Sequence, residues 1–157
     1  MRESNNIETI QRLYAAFGRG DIPAILAALD PDVEWINAGP DAIAYAGARR
    51  GAAAVRAFFE TLAATVEVRR FEPREFLAQG ERVVALGHWA GRVKATGREY
   101  ASEWAMAWTV RDGRVTAFRS HEDTHAVAMA FAGQIIGYHS CNDPDSRGAP
   151  DAGLPRP

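Results

Sequence analysis

The sequence predicts a segregated α+β fold in which three N-terminal helices cover one face of a curved antiparallel sheet. Three observations carry that prediction. Apolar residues recur at helical spacing up to about residue 64 and at period two from residue 66 onward. Turn signals at Gln79-Gly80, Ala95-Thr96-Gly97 and Asp112-Gly113 cut the second half into a meander of four long strands. Helical and strand patterns follow one another instead of alternating, so the layers are segregated.

Glu3 to Phe17 forms the first helix, because Ile7, Ile10, Leu13, Tyr14 and Phe17 make one apolar stripe. Gly18 and Gly20 stop it. Asp21 caps a second helix that runs to Leu29 with Pro23 in its first turn. Asp30-Pro31-Asp32 is turn chemistry, and Val33 to Ile36 a short strand. Asn37 to Arg50, with Gly39, Pro40 and Gly47, reads as a loop able to overlie a pocket mouth. The third helix spans Ala52 to Ala64 and buries Val55, Phe58, Phe59 and Leu62. The strands are Val66 to Leu77, Arg82 to Lys94, Arg98 to Arg111 and Arg114 to Asp123, followed by a brief helix over His125 to Phe131. A folded domain over residues 1–135 and a flexible tail over 136–157, rich in Pro, Gly and Asp, complete the reading.

Composition narrows the function. At 157 residues, 47% hydrophobic and 24% charged, the chain fits one domain with a full core. Eighteen basic against 20 acidic residues give a net charge of −2, which is no footprint for nucleic acid or an anionic membrane surface. A single cysteine, Cys141, leaves no internal disulfide and no cysteine-based zinc site. The N-terminal MRESNNIETI lacks a signal-peptide apolar run, and no window has a membrane-spanning length, so a cytoplasmic location is expected. His121 and His125 straddle a strand-to-helix junction, so their spacing is no helical metal pair and no metal is expected. Phosphate-cradling glycine loops and the GxSxG elbow are absent from the sequence, and no cofactor is expected.

Hairpin register converts strands into a site. A two-residue Asp112-Gly113 loop pairs Arg111 with Arg114 and Val110 with Val115. Counting on, Trp108 meets Ala117, Met106 meets Arg119, Trp104 meets His121, and Ser102 meets Asp123, all on one face. That face reads as a pocket, largely apolar with a few convergent polar groups. Glu103, Ala105, Ala107, Thr109, Phe118, Ser120 and Glu122 then lie on the opposite face, which suits another subunit. A three-residue Ala95-Thr96-Gly97 loop brings His88 opposite Trp104 and into the pocket; a two-residue loop turns it away.

Asp123 at a strand end beside apolar neighbours suits a general acid or base, and equally a cap for the helix after it. His121 and His88 read as groups that orient Asp123 or bond a substrate oxygen, or as structural histidines. Trp104, Met106 and Trp108 belong to the core first and to a ligand second. Trp35, Tyr45 and Phe59 complete the ligand-binding set.

Several short motifs occur together in order: Ile10, Leu13, Tyr14, Ala16 and Phe17, then Gly20-Asp21, and the run Leu29-Asp30-Pro31-Asp32-Val33-Glu34-Trp35. Tyr45-Ala46-Gly47, Gly51, Val55, Phe58-Phe59, Thr96-Gly97, Trp108, Asp112-Gly113-Arg114-Val115 and Glu122-Asp123-Thr124 follow. Over roughly residues 5–132 this resembles a SnoaL-like domain of the nuclear transport factor 2, ketosteroid isomerase-like superfamily. The resemblance implies a cone-shaped half-barrel with a hydrophobic cavity, often a homodimer across the sheet. Related enzymes include polyketide cyclases, ketosteroid isomerases and limonene epoxide hydrolases. In the cyclases and epoxide hydrolases an aspartate near the end of the last strand does acid–base chemistry, and Asp123 matches that position. The isomerase pattern has an acidic donor on the penultimate strand where Met106 stands here. The epoxide hydrolase pattern adds Arg and Asp on the preceding strand, where this chain offers His88 and Arg92 but no Asp.

The expected function is therefore cofactor-free acid–base catalysis of an isomerase, cyclase or hydrolase kind on a small hydrophobic carbonyl compound. The alternative is a module of the same shape that binds a hydrophobic ligand, or scaffolds a dimer, without chemistry.

Overall fold

A computed structural model describes residues 1–133; the expected domain end at residue 135, the tail from residue 136 and Cys141 lie outside the described residues. Helix α1 (Arg2–Gly18) buries Asn6, Ile10, Leu13, Tyr14 and Ala16, the residues its helical spacing puts on one side. Asp21 caps α2 (Ile22–Ala27) by accepting from the Ala24 N–H at 3.2 Å, with Pro23 in its first turn. The strands are β1 (Leu29–Asn37) and β2 (Gly47–Arg50), and α3 (Ala52–Thr65) follows. The meander comprises β3 (Val66–Gln79), β4 (Arg82–Val93), β5 (Glu99–Arg111) and β6 (Arg114–Glu122), and α4 (Thr124–Ala132) ends the described chain.

The sheet has six strands in the order β2-β1-β6-β5-β4-β3, and its ends do not pair, so it curves without closing. It is mixed instead of purely antiparallel, because β1 runs parallel to β6. Hairpins dictate the direction of β3 to β6, whereas β1 reaches β6 only through a crossover that includes α3, which leaves the parallel arrangement open to it. The segment expected to be a loop holds β2, which pairs with β1 from Glu34↔Arg50 to Asn37↔Gly47. Pro73 sits on β3, an edge strand, beside a bulge between Pro73 and Glu75, where a missing N–H costs no ladder bond.

Helices α1 and α3 pack on the concave face of the sheet, and Ile10, Val55, Val83, Val110 and Val115 are fully or almost fully buried between them. Among the described residues no helix is long and apolar enough to cross a membrane.

Candidate functional site

Two local features of the backbone decide which side chains face the concave side. Asp112 and Gly113 both take positive φ (52° and 77°), as a two-residue hairpin of this twist requires, and Arg111↔Arg114 and Val110↔Val115 pair as expected. Beyond them the register slips: Thr109 pairs with Ala117, so Thr116 is an extra residue in β6, a β-bulge. Because side chains alternate, one extra residue exchanges the two faces of everything after it. Phe118, Ser120 and Glu122 therefore face inward beside Trp108, Met106 and Trp104, while Ala117, Arg119 and His121 turn outward. The β4–β5 connection is also one residue longer than expected. Arg92↔Glu99 and the Val93 N–H donating to the Arg98 carbonyl leave four residues in the turn. His88 thus lies opposite Glu103 on the outer face, its Nδ1 buried without a partner among the described residues, and Gly87 stands opposite Trp104.

The inward face closes around a cavity of about 80 Å³. At roughly 10–15 Å³ per water this is room for several waters or one small ring, unless the walls yield. Trp35, Tyr45, Phe59, Trp104, Met106 and Trp108, expected from the sequence to meet a ligand, all line it. Trp104 stacks on Tyr14 and Phe71 (centroids 5.5 and 5.1 Å apart), and Trp35 stacks on Phe118 at 3.9 Å. The Trp108 indole N–H donates to the Tyr14 hydroxyl at 2.9 Å, and that hydroxyl points its own hydrogen at the Met106 sulfur, 3.2 Å away. Burial pushes the Tyr14 hydroxyl well above the ordinary tyrosine range. The indole N–H groups of Trp35 and Trp104 are buried without an acceptor from the described residues.

Glu122 is the carboxyl in this wall, a residue the sequence reading put on the outer face. Its two oxygens are each held: the Tyr45 hydroxyl donates to Oε1 at 2.6 Å, and the Trp89 indole donates to Oε2 at 2.8 Å. Burial raises its pKa, Asp123 adds to the rise, and the two donated hydrogen bonds oppose it; the net shift is upward. Tyr45 is itself pushed far up by burial and by the carboxylate beside it, so it remains a donor.

A stability consequence follows from that shift. The folded chain holds the Glu122 proton to higher pH than the unfolded chain, so between the two values the folded state binds more protons and loses stability as pH rises. That contribution is fully present below the ordinary glutamate value of 4.5 and is gone above the raised one. Thermal melts from about pH 4 to about pH 8 should show the wild type losing ground to Glu122→Gln. A Tm difference that stays constant over this range contradicts it.

Ser120 and Asn37, both buried, also line the cavity wall. The Asn37 amide NH₂ donates to Ser120 Oγ at 3.0 Å, and Arg49 Nη1 donates to Asn37 Oδ1 at 3.4 Å. Arg49, on β2, lies with its guanidinium 5.0 Å from the centre of the Phe58 ring, and partial burial lowers its pKa.

Asp123 does not enter the cavity. It caps α4, accepting from the Ala126 N–H at 3.1 Å, while its own N–H donates to Ser102 Oγ at 2.9 Å; its side chain and that of His121 are exposed. The three polar residues expected in the pocket, Asp123, His121 and His88, are thus all outside it, displaced by the bulge and the longer turn. Asp123→Ala should cost about 1 kcal/mol in chemical denaturation, the usual worth of a helix cap, with no change at the cavity. Among the described residues no cluster of three or more His, Cys, Asp or Glu is arranged to hold a metal ion.

Comparison with known proteins agrees with this architecture. No curated protein matches the chain. A structure of an NTF2-like protein from Burkholderia xenovorans is 41% identical, covering 83% of this chain and 98% of that one, with a TM-score of 0.76. An NTF2-like protein of unknown function from Burkholderia pseudomallei is 34% identical over 81% and 97% of the two chains, at a TM-score of 0.73. A structure of TerC co-crystallised with polyporic acid is 32% identical over 82% and 98%, also at 0.73. Such neighbours fit a cone-shaped fold, here lined by the aromatic cavity. The SnoaL-like domain profile matches residues 10–118, and the chain belongs to the SnoaL-like domain family.

Proposed function

We propose that the cavity takes a small apolar carbonyl compound and that Glu122 exchanges a proton with it, with no cofactor taking part. The observation that supports this reading is a carboxyl with a raised pKa, fixed on both oxygens, in the wall of an otherwise aromatic cavity. A carboxylate whose pKa is raised is a stronger base than an ordinary glutamate, and its fixed position removes the need to orient it during reaction. Co-crystallisation of a small molecule with the 32% identical relative TerC supports ligand binding in this fold. Cyclase, isomerase and hydrolase chemistry all use such a step, and two structural relatives described as a polyketide cyclase and an isomerase share the fold. The open outer face of β4 to β6 is where we expect a second copy of the chain to pack.

The test is deuterium incorporation. Small enolisable ketones are incubated with the protein in D₂O and followed by NMR; exchange at the α-carbon above the buffer rate, lost in Glu122→Gln, supports the enzyme. Saturable quenching of tryptophan fluorescence by these ketones without any exchange means the cavity binds and does no chemistry.

A further inference from the structure

Hydrogen-bond direction in the Arg49–Asn37–Ser120 chain is forced from its outer end. An arginine has donors only, so the Asn37 side chain must turn its oxygen to Arg49 and its NH₂ to Ser120. Ser120 Oγ must then accept from Asn37, and its own hydrogen is left to donate. No acceptor for that hydrogen is found among the described residues, and Ser120 lines the cavity two residues from Glu122 on the same face of β6. The Cα atoms of such a pair are about 7 Å apart. At the other end of the chain, Arg49 has no carboxylate within ion-pair distance among the described residues, although its neighbour Arg50 pairs with Glu34 at 2.7 Å. A half-buried cation therefore stands behind a one-way line of donors that ends in the cavity.

We propose that Ser120 binds the oxygen on which negative charge gathers, with Asn37 and Arg49 as positioning residues that polarise it, and that the substrate class is an enolisable carbonyl compound bound through that oxygen. This rests on the proton-transfer reading of Glu122. The ionised Glu122 takes the α-proton; the C–H pair becomes the new C=C bond, and the carbonyl π pair moves to oxygen. The proton ends on Glu122 and the charge on an enolate oxygen facing Ser120. Return of a proton from Glu122 to the α-carbon completes an exchange without a further reactant. The two halves divide the work: Glu122 removes the proton, and the Arg49 chain lowers the cost of the resulting anion in an aromatic cavity, where burying an unpaired charge is costly.

A probe separates this inference from the reading beneath it. 4-Nitrophenol carries one ionisable oxygen, its anion absorbs visible light, and it needs no turnover. Binding is followed by quenching of the cavity tryptophans, and ionisation of the bound probe by absorbance against pH. Burial pushes the bound probe up in every variant, so the comparison between variants carries the result. The midpoint in the wild type and in Arg49→Lys should lie about one pH unit below that in Arg49→Met and in Ser120→Ala, the scale expected for a cation acting within several ångströms. Glu122, Tyr45 and Tyr14 are the titratable groups facing the cavity; the tyrosines stay protonated, and repeating the series in Glu122→Gln removes the carboxyl. Equal midpoints in wild type and Arg49→Met, with binding intact, overturn the assignment and leave proton exchange by Glu122 standing. Failure of the wild type to bind the probe at all overturns the small-ligand reading together with it. Circular-dichroism melts establish that each variant is folded, and Arg49→Met, altered at a half-exposed position, keeps the test decisive should Ser120→Ala not fold.

Discussion

Glu122→Gln should slow α-proton exchange of an accepted ketone by about 10²- to 10⁴-fold, the range a positioned acid–base group contributes. Glutamine has the same shape as glutamic acid and keeps one acceptor oxygen for either Tyr45 or Trp89, so the cavity wall stays in place. What disappears is the proton-accepting oxygen. The loss should appear in kcat more than in KM, since the carboxyl acts on the proton in flight and makes no demand on the resting ligand. Tyr45→Phe tests the same group from the other side. Without the 2.6 Å hydrogen bond to Oε1, the ionised form loses a stabilising donor, so the acid limb of the pH–rate profile, where Glu122 ionises, should move to higher pH. Exchange at wild-type rates in Glu122→Gln removes the acid–base role, whatever binds in the cavity.

Much of this arrangement was legible in the sequence, and the part that was not has a physical cause. Strand limits followed from turn residues, and the inward set of β5 (Trp104, Met106, Trp108) followed from period two. β6 defeated the count because a bulge is invisible to alternation. One cue was present: Val115 and Phe118 are the large apolar residues of β6 and stand three apart, an odd spacing that period two cannot bury on one face. An extra residue between them resolves the conflict, and Thr116 is that residue. The same cue moves Ser120 and Glu122 inward and His121 outward. The β4–β5 turn offered no such cue, since three- and four-residue loops both accommodate Gly97 at its positive φ. Asn37 and Arg49 were hidden for another reason: β2 is short, polar and exposed, and only its pairing with β1 sets Arg49 beside Asn37. Tyr45 is legible from its place in the irregular segment, but its partner carboxyl depends on the bulge in β6.

Gly87→Ala should destabilise the fold by about 3 kcal/mol, near the upper end for overpacking, although it adds a single methyl group. Gly87 is buried on β4, and a Cβ there would stand 2.2 Å from Trp104 Cζ2, 2.6 Å from its Cε2 and 2.4 Å from the Glu72 carbonyl oxygen. The last contact is with backbone held in the β3–β4 ladder beside the Pro73 bulge, so neither strand can step aside cheaply. Trp104 is likewise hemmed in by the stacked rings of Tyr14 and Phe71, and displacing it would collapse or distort the cavity they share. The glycine is therefore what lets an indole lie flat across β4 and form the cavity wall. A double-mutant cycle in guanidinium chloride separates the two contacts. With Trp104→Leu in place, Gly87→Ala should cost less by about 0.5 to 3 kcal/mol, the coupling typical of residues in direct contact, and any remainder belongs to the Glu72 carbonyl. Additive costs would mean that the indole does not depend on the bare strand, and the cavity wall would need another explanation.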